Sequence, residues 1–263
     1  MAKTLAVTNQ KGGVGKTTTT VNLAASLAAM KQNVLLVDLD PQGNATMGSG
    51  IDKTTLESTI YQVLLGEQEL HKACKHSETG KFDVLPANRE LAGAEIELIE
   101  IEGRETKLKQ ALQTVAETYD FILIDCPPAL NLLTLNGLCA AQSVMIPMQC
   151  EYYALEGLSD LVNTIRKVRT HLNSGLEIEG LLRTMFDPRN TLAQQVSAQL
   201  EQHFGDKVYR TVIPRNVRLA EAPSYGVPVL YHDKLSKGSQ AYLALAVEML
   251  NNVAKTANIN QGK

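Results

Sequence analysis

Two stretches, Val34-Leu35-Leu36-Val37 and Phe121-Ile122-Leu123-Ile124, are apolar at every position. A strand with one wet face alternates between apolar and polar. One that is apolar throughout is covered on both faces, as in a parallel sheet between helical layers. Strands are predicted at Leu5–Thr8, Val34–Asp38, Val84–Pro86, Phe121–Asp125, Ser143–Pro147, Glu179–Met185 and Val208–Ile213. Helical patterns fall between them, at Thr17–Met30, Leu91–Glu117, Ala154–Leu172, Leu192–Phe204 and Ser236–Ala257. This alternation predicts an α/β fold: a doubly wound, mostly parallel sheet with helices on both faces. With no internal repeat and no Pro/Gly/Ser-rich linker, residues 1–263 read as a single domain. Ligands of such sheets lie beyond the carboxyl ends of the strands, so the residues closing each run are the ones to test.

The first run leads into Gln10-Lys11-Gly12-Gly13-Val14-Gly15-Lys16-Thr17-Thr18. A phosphate loop reads G-x-x-x-x-G-K-[ST] between strand and helix. Here Gln10 stands where the first glycine belongs. The physical requirements are nevertheless met. Gly12, Gly13 and Gly15 let the backbone approach an anion closely, and the following helix aims its positive end at the same place. The expected cradle for ATP runs over Gly12, Gly13, Val14, Gly15, Lys16, Thr17 and Thr18. Lys16 reaches the β- and γ-phosphates, and the Thr17 hydroxyl ligates Mg²⁺.

Two further strand ends carry carboxylates. The second strand runs into Asp38-Leu39-Asp40, and period 2 puts both aspartates on one side. The run Phe121–Ile124 closes on Asp125, the Walker-B form, whose carboxylate holds Mg²⁺ through water.

Composition narrows the class. The chain is 44% hydrophobic and 20% charged. It has no apolar run near the roughly 18–20 residues of a membrane span, and its start leaves no room for a signal peptide. Cys74, Cys126, Cys139 and Cys150 show neither disulfide nor zinc spacing, so a cytoplasmic protein with reduced thiols is expected. The net charge of −3 is unevenly spread: residues 1–182 hold 15 Lys+Arg against 22 Asp+Glu, residues 183–263 hold 10 against 6.

Lys11, five residues before Lys16, makes the loop the "deviant" form K-G-G-x-G-K-[ST]. The chain thereby resembles the ParA/MinD group of ATPases, relatives of nitrogenase iron protein. The likeness extends through D-L-D-P-Q-G-N-A-T, I-D-C-P-P, T-M-F-D-P-R and I-P-R-N-V-R-L-A-E-A-P-S-Y-G, and is greatest to chromosomal (Soj-type) partition ATPases. It implies that Lys11 reaches across a homodimer to the partner's nucleotide, much as an arginine finger would. It implies that Asp40 positions the attacking water, with Asp38 in the magnesium shell. Pro127-Pro128 would be the second switch segment. Pro214 and Asn216, with Met185, would contact adenine, and Arg189 and Arg218 would bind non-specific DNA in the ATP-bound dimer. Lys234, Lys237 and Lys255 are weaker candidates. A ParB-type partner would stimulate hydrolysis, and the protein would be nucleoid-associated. The phosphate loop begins almost at residue 1, so the helix-turn-helix extension of some plasmid relatives is not expected. The tail Asn251–Gln261 has too little apolar surface for MinD-type membrane anchoring, and the cysteines do not fit an iron–sulfur cluster. A positioning ATPase for non-DNA cargo would share every phosphate motif, so that alternative stays open.

Overall fold

The computed structural model describes residues 2–261, with side chains through Lys255. Seven strands form one sheet: β1 (Lys3–Val7), β2 (Val34–Asp38), β3 (Lys75–Ser77), β4 (Phe82–Leu85), β5 (Phe121–Asp125), β6 (Ser143–Gln149) and β7 (Glu177–Thr184). Their spatial order is β3-β4-β2-β5-β1-β6-β7, and only β3 runs antiparallel. The unbroken apolar runs have the predicted cause. Along β2, Val34 and Leu36 face one buried cluster while Leu35 and Val37 face another. In β5, Phe121 and Leu123 part from Ile122 and Ile124 in the same way. Helices Lys16–Ala29 and Lys237–Gln261 cover the first face, and Thr19 meets Tyr242 between them at 3.1 Å. The other face carries, among others, helices Ile60–Leu65, Leu132–Ala140, Ala154–His171 and Thr191–Phe204.

Two expected elements are corrected. Val208–Ile213 is not a strand: it meets β7 through an isolated bridge of Val208 with Leu181 and a hydrogen bond from the Ile213 amide to the Arg183 carbonyl at 2.9 Å, and the next residue, Pro214, bridges to Phe186. Between them the backbone is drawn off by side chains. The amides of Arg210 and Thr211 donate to Glu248, at 2.7 and 2.9 Å, and the Tyr209 carbonyl accepts from Arg183 at 2.6 Å. The single helix expected over Leu91–Glu117 is broken. It runs Leu91–Glu97, tightens at Leu98–Glu100, and restarts as Lys107–Gln113. Gly103 sits in the left-handed region at φ 67°, and Asn136 holds the restart by accepting from Leu108 and donating to Arg104. Leu91, Leu98, Leu108 and Leu112 all reach the same core, so the apolar period runs unbroken across a broken backbone. Short elements such as β3 and helix Ile60–Leu65 lay outside the expected set. The tail from residue 256, expected to be too polar for a membrane, lies outside the described side chains.

Helix Leu132–Ala140 packs against the end of β5 through Gly137. A Cβ there would lie 2.9 Å from Cys126 Sγ and 3.1 Å from Leu39 Cδ1. Gly137→Ala should therefore destabilise the protein by about 1–3 kcal/mol despite its better helix propensity. Adding Cys126→Ala should recover part of that loss in urea unfolding. Equal stability of Gly137→Ala and the parent would refute the close packing.

Candidate functional site

The loop after β1 is built to hold an anion. Gly13 and Gly15 adopt φ of 75° and 86°, a left-handed conformation that favours glycine. A Cβ on Gly12 or Gly13 would meet nothing within 4 Å, so the space above the loop is open. No side chain caps the helix that starts at Lys16, which leaves its first N–H groups for a ligand. The loop is braced from two strand ends. Asn9 donates to the Pro147 carbonyl at 2.9 Å and accepts from the Lys11 amide at 3.0 Å. Thr184 donates to the Val14 carbonyl at 2.7 Å. Lys16 is buried, its Nζ donating to the Lys11 carbonyl at 3.2 Å. Burial lowers its pKa, and the negative charges of Asp125 and Asp40 oppose that shift.

Register brings the carboxylates together. Asp38 and Asp125 are partners at the ends of adjacent β2 and β5, and both are fully buried. Asp125 accepts from Thr17 at 2.7 Å and from Thr20 at 3.0 Å. Asp38 accepts from the Thr46 amide at 2.8 Å, the Thr46 hydroxyl at 2.7 Å and the Asp40 amide at 3.1 Å. Its oxygens thus shape the chain from 38 to 46. Asp40 accepts from the Gln42 amide at 2.9 Å. Burial pushes the Asp125 carboxyl up to about 8, reinforced by the charge of Asp38, and pushes Asp38 up to about 6. The Thr17–Asp125 pair offers hard oxygen donors, which fit Mg²⁺. Among the described residues no group of three or more His, Cys, Asp or Glu could hold a metal alone. That also suits Mg²⁺, which uses one or two carboxylates together with substrate phosphates.

Lys11 stands apart from this centre. Its half-exposed ammonium lies 2.6 Å from Glu151 Oε2, just beyond β6. Met185 follows β7 with φ 49°, unusual for a residue with a side chain, and Gln149 approaches its sulfur at 2.7 Å. Pro214 is bridged to Phe186, the residue after Met185, while Asn216 caps helix Val217–Glu221 with its side-chain oxygen. Arg189 is paired with Asp187 at 2.8 Å, and Arg218 with Glu221 at 2.8 Å and Asp233 at 3.3 Å. Sequence reasoning missed Thr20, Thr46, Asn9, Thr184 and Glu151. Thr20 could have been found, since it lies three residues after Thr17 on the same helix face. The others meet their partners only through the fold.

A glycine cradle between strand and helix, a buried lysine and a strand-end carboxylate bonded to the next threonine define a P-loop nucleotide-binding protein. Comparison with known proteins agrees. A family described as an AAA domain matches residues 2–178. The sporulation initiation inhibitor protein Soj of Bacillus subtilis is 55% identical over 252 residues, covering 96% of this chain and 100% of that one. The chromosome partitioning protein ParA of Caulobacter vibrioides is 51% identical over 251 residues, covering 95% and 94%. Among solved structures, cobyrinic acid a,c-diamide synthase from Mycobacterium smegmatis with bound ADP and magnesium superposes with a TM-score of 0.85 at 38% identity, covering 97% and 96%. The chain belongs to the ParA/Soj family of chromosome-partitioning ATPases.

The buried carboxyls make a pH prediction. A folded-state pKa raised above the ordinary 3.8 gives stability that is complete at acid pH and lost as pH rises through the folded value, about 8 for Asp125. The melting temperature of nucleotide-free protein should fall from about pH 4 towards pH 8 and level off above that. Asp125→Asn, which cannot titrate there, should flatten that fall. Parallel curves for the two proteins would contradict the assignment.

Proposed function

We propose that the chain is a weak, dimerisation-gated ATPase that partitions DNA. The observation that carries this reading is the division of labour between two lysines of one loop. Lys16 is buried and feels the charges of Asp125 and Asp40, whereas the half-exposed Lys11 side chain is paired with Glu151. Lys16 and the amides of residues 12–18 bind the phosphates of the chain's own ATP. Thr17 and Asp125 hold Mg²⁺, with Asp38 fixing the segment that carries Asp40. The metal supplies charge neutralisation on the phosphate oxygens. Asp40, kept in place by the Gln42 amide, would orient the water and take its proton as the water oxygen bonds to the γ-phosphorus and the bond from that phosphorus to the β–γ bridging oxygen breaks, leaving ADP and inorganic phosphate. Lys11 leaves Glu151 and neutralises charge on the partner subunit's phosphates, so hydrolysis waits for two subunits. Pro214, Asn216 and Met185 enclose the adenine. The synthase activity of the Mycobacterium protein does not carry over to this chain, because a shared fold alone does not assign chemistry.

In this reading the ATP-bound homodimer binds DNA through Arg189 and Arg218, and a ParB-type partner stimulates hydrolysis and releases it in the nucleoid. A basic face doubled by dimerisation would let a chain of net charge −3 bind phosphate backbone. One observation favours positioning of a non-DNA cargo instead: both arginines already have carboxylate partners.

The two lysines should fail differently. Lys16→Ala should lose ATP affinity. Lys11→Ala should bind ATP as a monomer but lose dimerisation and turnover. Equilibrium binding and sedimentation distinguish them, and equal loss of affinity would sink the trans role. For DNA, each arginine appears twice per dimer. Replacing either with alanine should make the slope of log K against log salt shallower by about 2, equally on unrelated duplexes. Failure of the parent ATP dimer to bind any duplex at low salt would favour the cargo reading.

A further inference from the structure

Helix Lys16–Ala29 buries a side chain out of character with its neighbours. Val21, Leu23, Ala24 and Ala25 all join the core, and between them Asn22 is only 5% exposed. A buried carboxamide is costly unless its polar groups are bonded. Asn22 uses both of its ends. Its Nδ2 donates to the Thr18 carbonyl at 2.7 Å, and its Oδ1 accepts from the Val229 amide at 2.7 Å. The orientation is fixed, because a backbone N–H can only donate and a carbonyl can only accept. One side chain thus joins the first turn of the phosphate-binding helix to a backbone group 207 positions away.

Val229 closes the segment that starts at Pro214. Along it Asn216 caps helix Val217–Glu221, a tight turn covers Ala222–Tyr225, and Val229 opens helix Val229–His232. The start is held by the Pro214–Phe186 bridge. Towards the other end, a cavity of about 420 Å³ is walled by both helix and segment, among others by Thr17, Thr18 and Asn22 from the one and Pro223, Val227 and Pro228 from the other. Where side chains stand apart across a cavity, hydrogen bonds set the distance. Two reach this end from distant elements: Asn22 to the Val229 amide, and Thr79, whose hydroxyl donates to the Gly226 carbonyl at 2.9 Å. Of these, the Asn22 bond leads directly to the residues expected to hold phosphate.

We propose that Asn22 is a positioning residue for the base of the bound nucleotide, fastening the segment that carries Pro214 and Asn216 to the helix that carries Lys16, Thr17 and Thr18. The inference rests on the reading in which Pro214, Asn216 and Met185 enclose the adenine. It adds the residue that sets the spacing between the wall of the base and the cradle of the phosphates. A ligand senses this bond only if it touches the segment. When the bond is cut, the segment keeps its place only part of the time, and a nucleotide binds the fraction that does, so its apparent affinity falls. A bare diphosphate, held by the loop amides and Lys16, is indifferent.

Calorimetric titration of the full chain with MgADP and with magnesium pyrophosphate separates the two ends of the nucleotide. The proteins are the parent, Asn22→Leu, Val229→Pro, the double variant and Met185→Ala. Leucine keeps the branching of asparagine without its hydrogen bonds. Proline at 229 deletes the N–H at the first position of a helix, where proline is well accommodated, and Pro228 with ψ 147° already has the extended backbone that a following proline requires. Each single variant should bind MgADP about tenfold more weakly, the effect of one buried hydrogen bond, and pyrophosphate as the parent does. The double variant should be no weaker than the weaker single one, since both changes cut the same bond. Retained pyrophosphate binding shows that the variants are folded. Equal loss for both ligands overturns the proposal, because Asn22 would then act on the helix and not on the base. Unchanged MgADP affinity, or losses that add in the double variant, overturn it as well. Met185→Ala keeps the two readings apart. If it weakens MgADP alone while the Asn22 and Val229 variants do not, only the inference on Asn22 falls. If it leaves MgADP binding unchanged, the adenine reading falls and the inference with it.

Discussion

Two carboxylic acids are buried side by side where β2 and β5 end, and the site is arranged around the cost of charging them. Among the described residues, neither Asp38 nor Asp125 forms an ion pair. Each is instead held by hydroxyl and amide donors, Asp125 by Thr17 and Thr20, Asp38 by Thr46 and the Asp40 amide. Those donors come from two places: the first turns of the helix after the phosphate loop and the segment after β2. Loop, helix and post-β2 segment are therefore locked to one another through a pair that resists ionisation until positive charge arrives. In the family reading, that charge comes with Mg²⁺ and nucleotide.

The same economy governs the two lysines. Lys16 spends its ammonium on the carbonyl of residue 11, and the Lys11 amide is held by Asn9. The side chain of Lys11 projects from the braced loop, and its contact with Glu151 is a half-exposed ion pair. Such pairs are worth about 0–1 kcal/mol. That is too little to prevent a partner's phosphates from recruiting the lysine, yet enough to give it a defined resting place. Rigidity in the loop and weak tethering of one side chain are what a device that reports a second subunit requires.

Much of this was legible in the residues. The glycines, Lys16, Thr17, Asp38, Asp40 and Asp125 all fall at strand ends, where a doubly wound sheet puts its ligands, because the strands announce themselves as runs apolar on both faces. Legibility failed where side chains from distant elements overrode local pattern. Val208–Ile213 has the composition of a strand, but Glu248 and Arg183 take its hydrogen bonds. The period from Leu91 to Glu117 is helical, yet Gly103 and Asn136 reset the chain within it. Glu151 could not be assigned to Lys11 from the sequence, since the contact joins residues 140 positions apart.

In the proposed mechanism Lys11 acts across the dimer while Asp40 acts within its own subunit. Mixing Lys11→Ala protein with Asp40→Ala protein tests it directly. Neither variant should turn over ATP by itself. In a mixed dimer, the Lys11→Ala subunit keeps its Asp40 and receives Lys11 from its neighbour, so one of the two sites is complete. A mixed dimer keeps one of its two Lys11 side chains, so an equimolar mixture should turn over ATP well above the level of either variant alone. If both lysine and aspartate served the same bound nucleotide, no site in the mixture would be whole. Turnover that stays at the level of the separate variants would contradict the account.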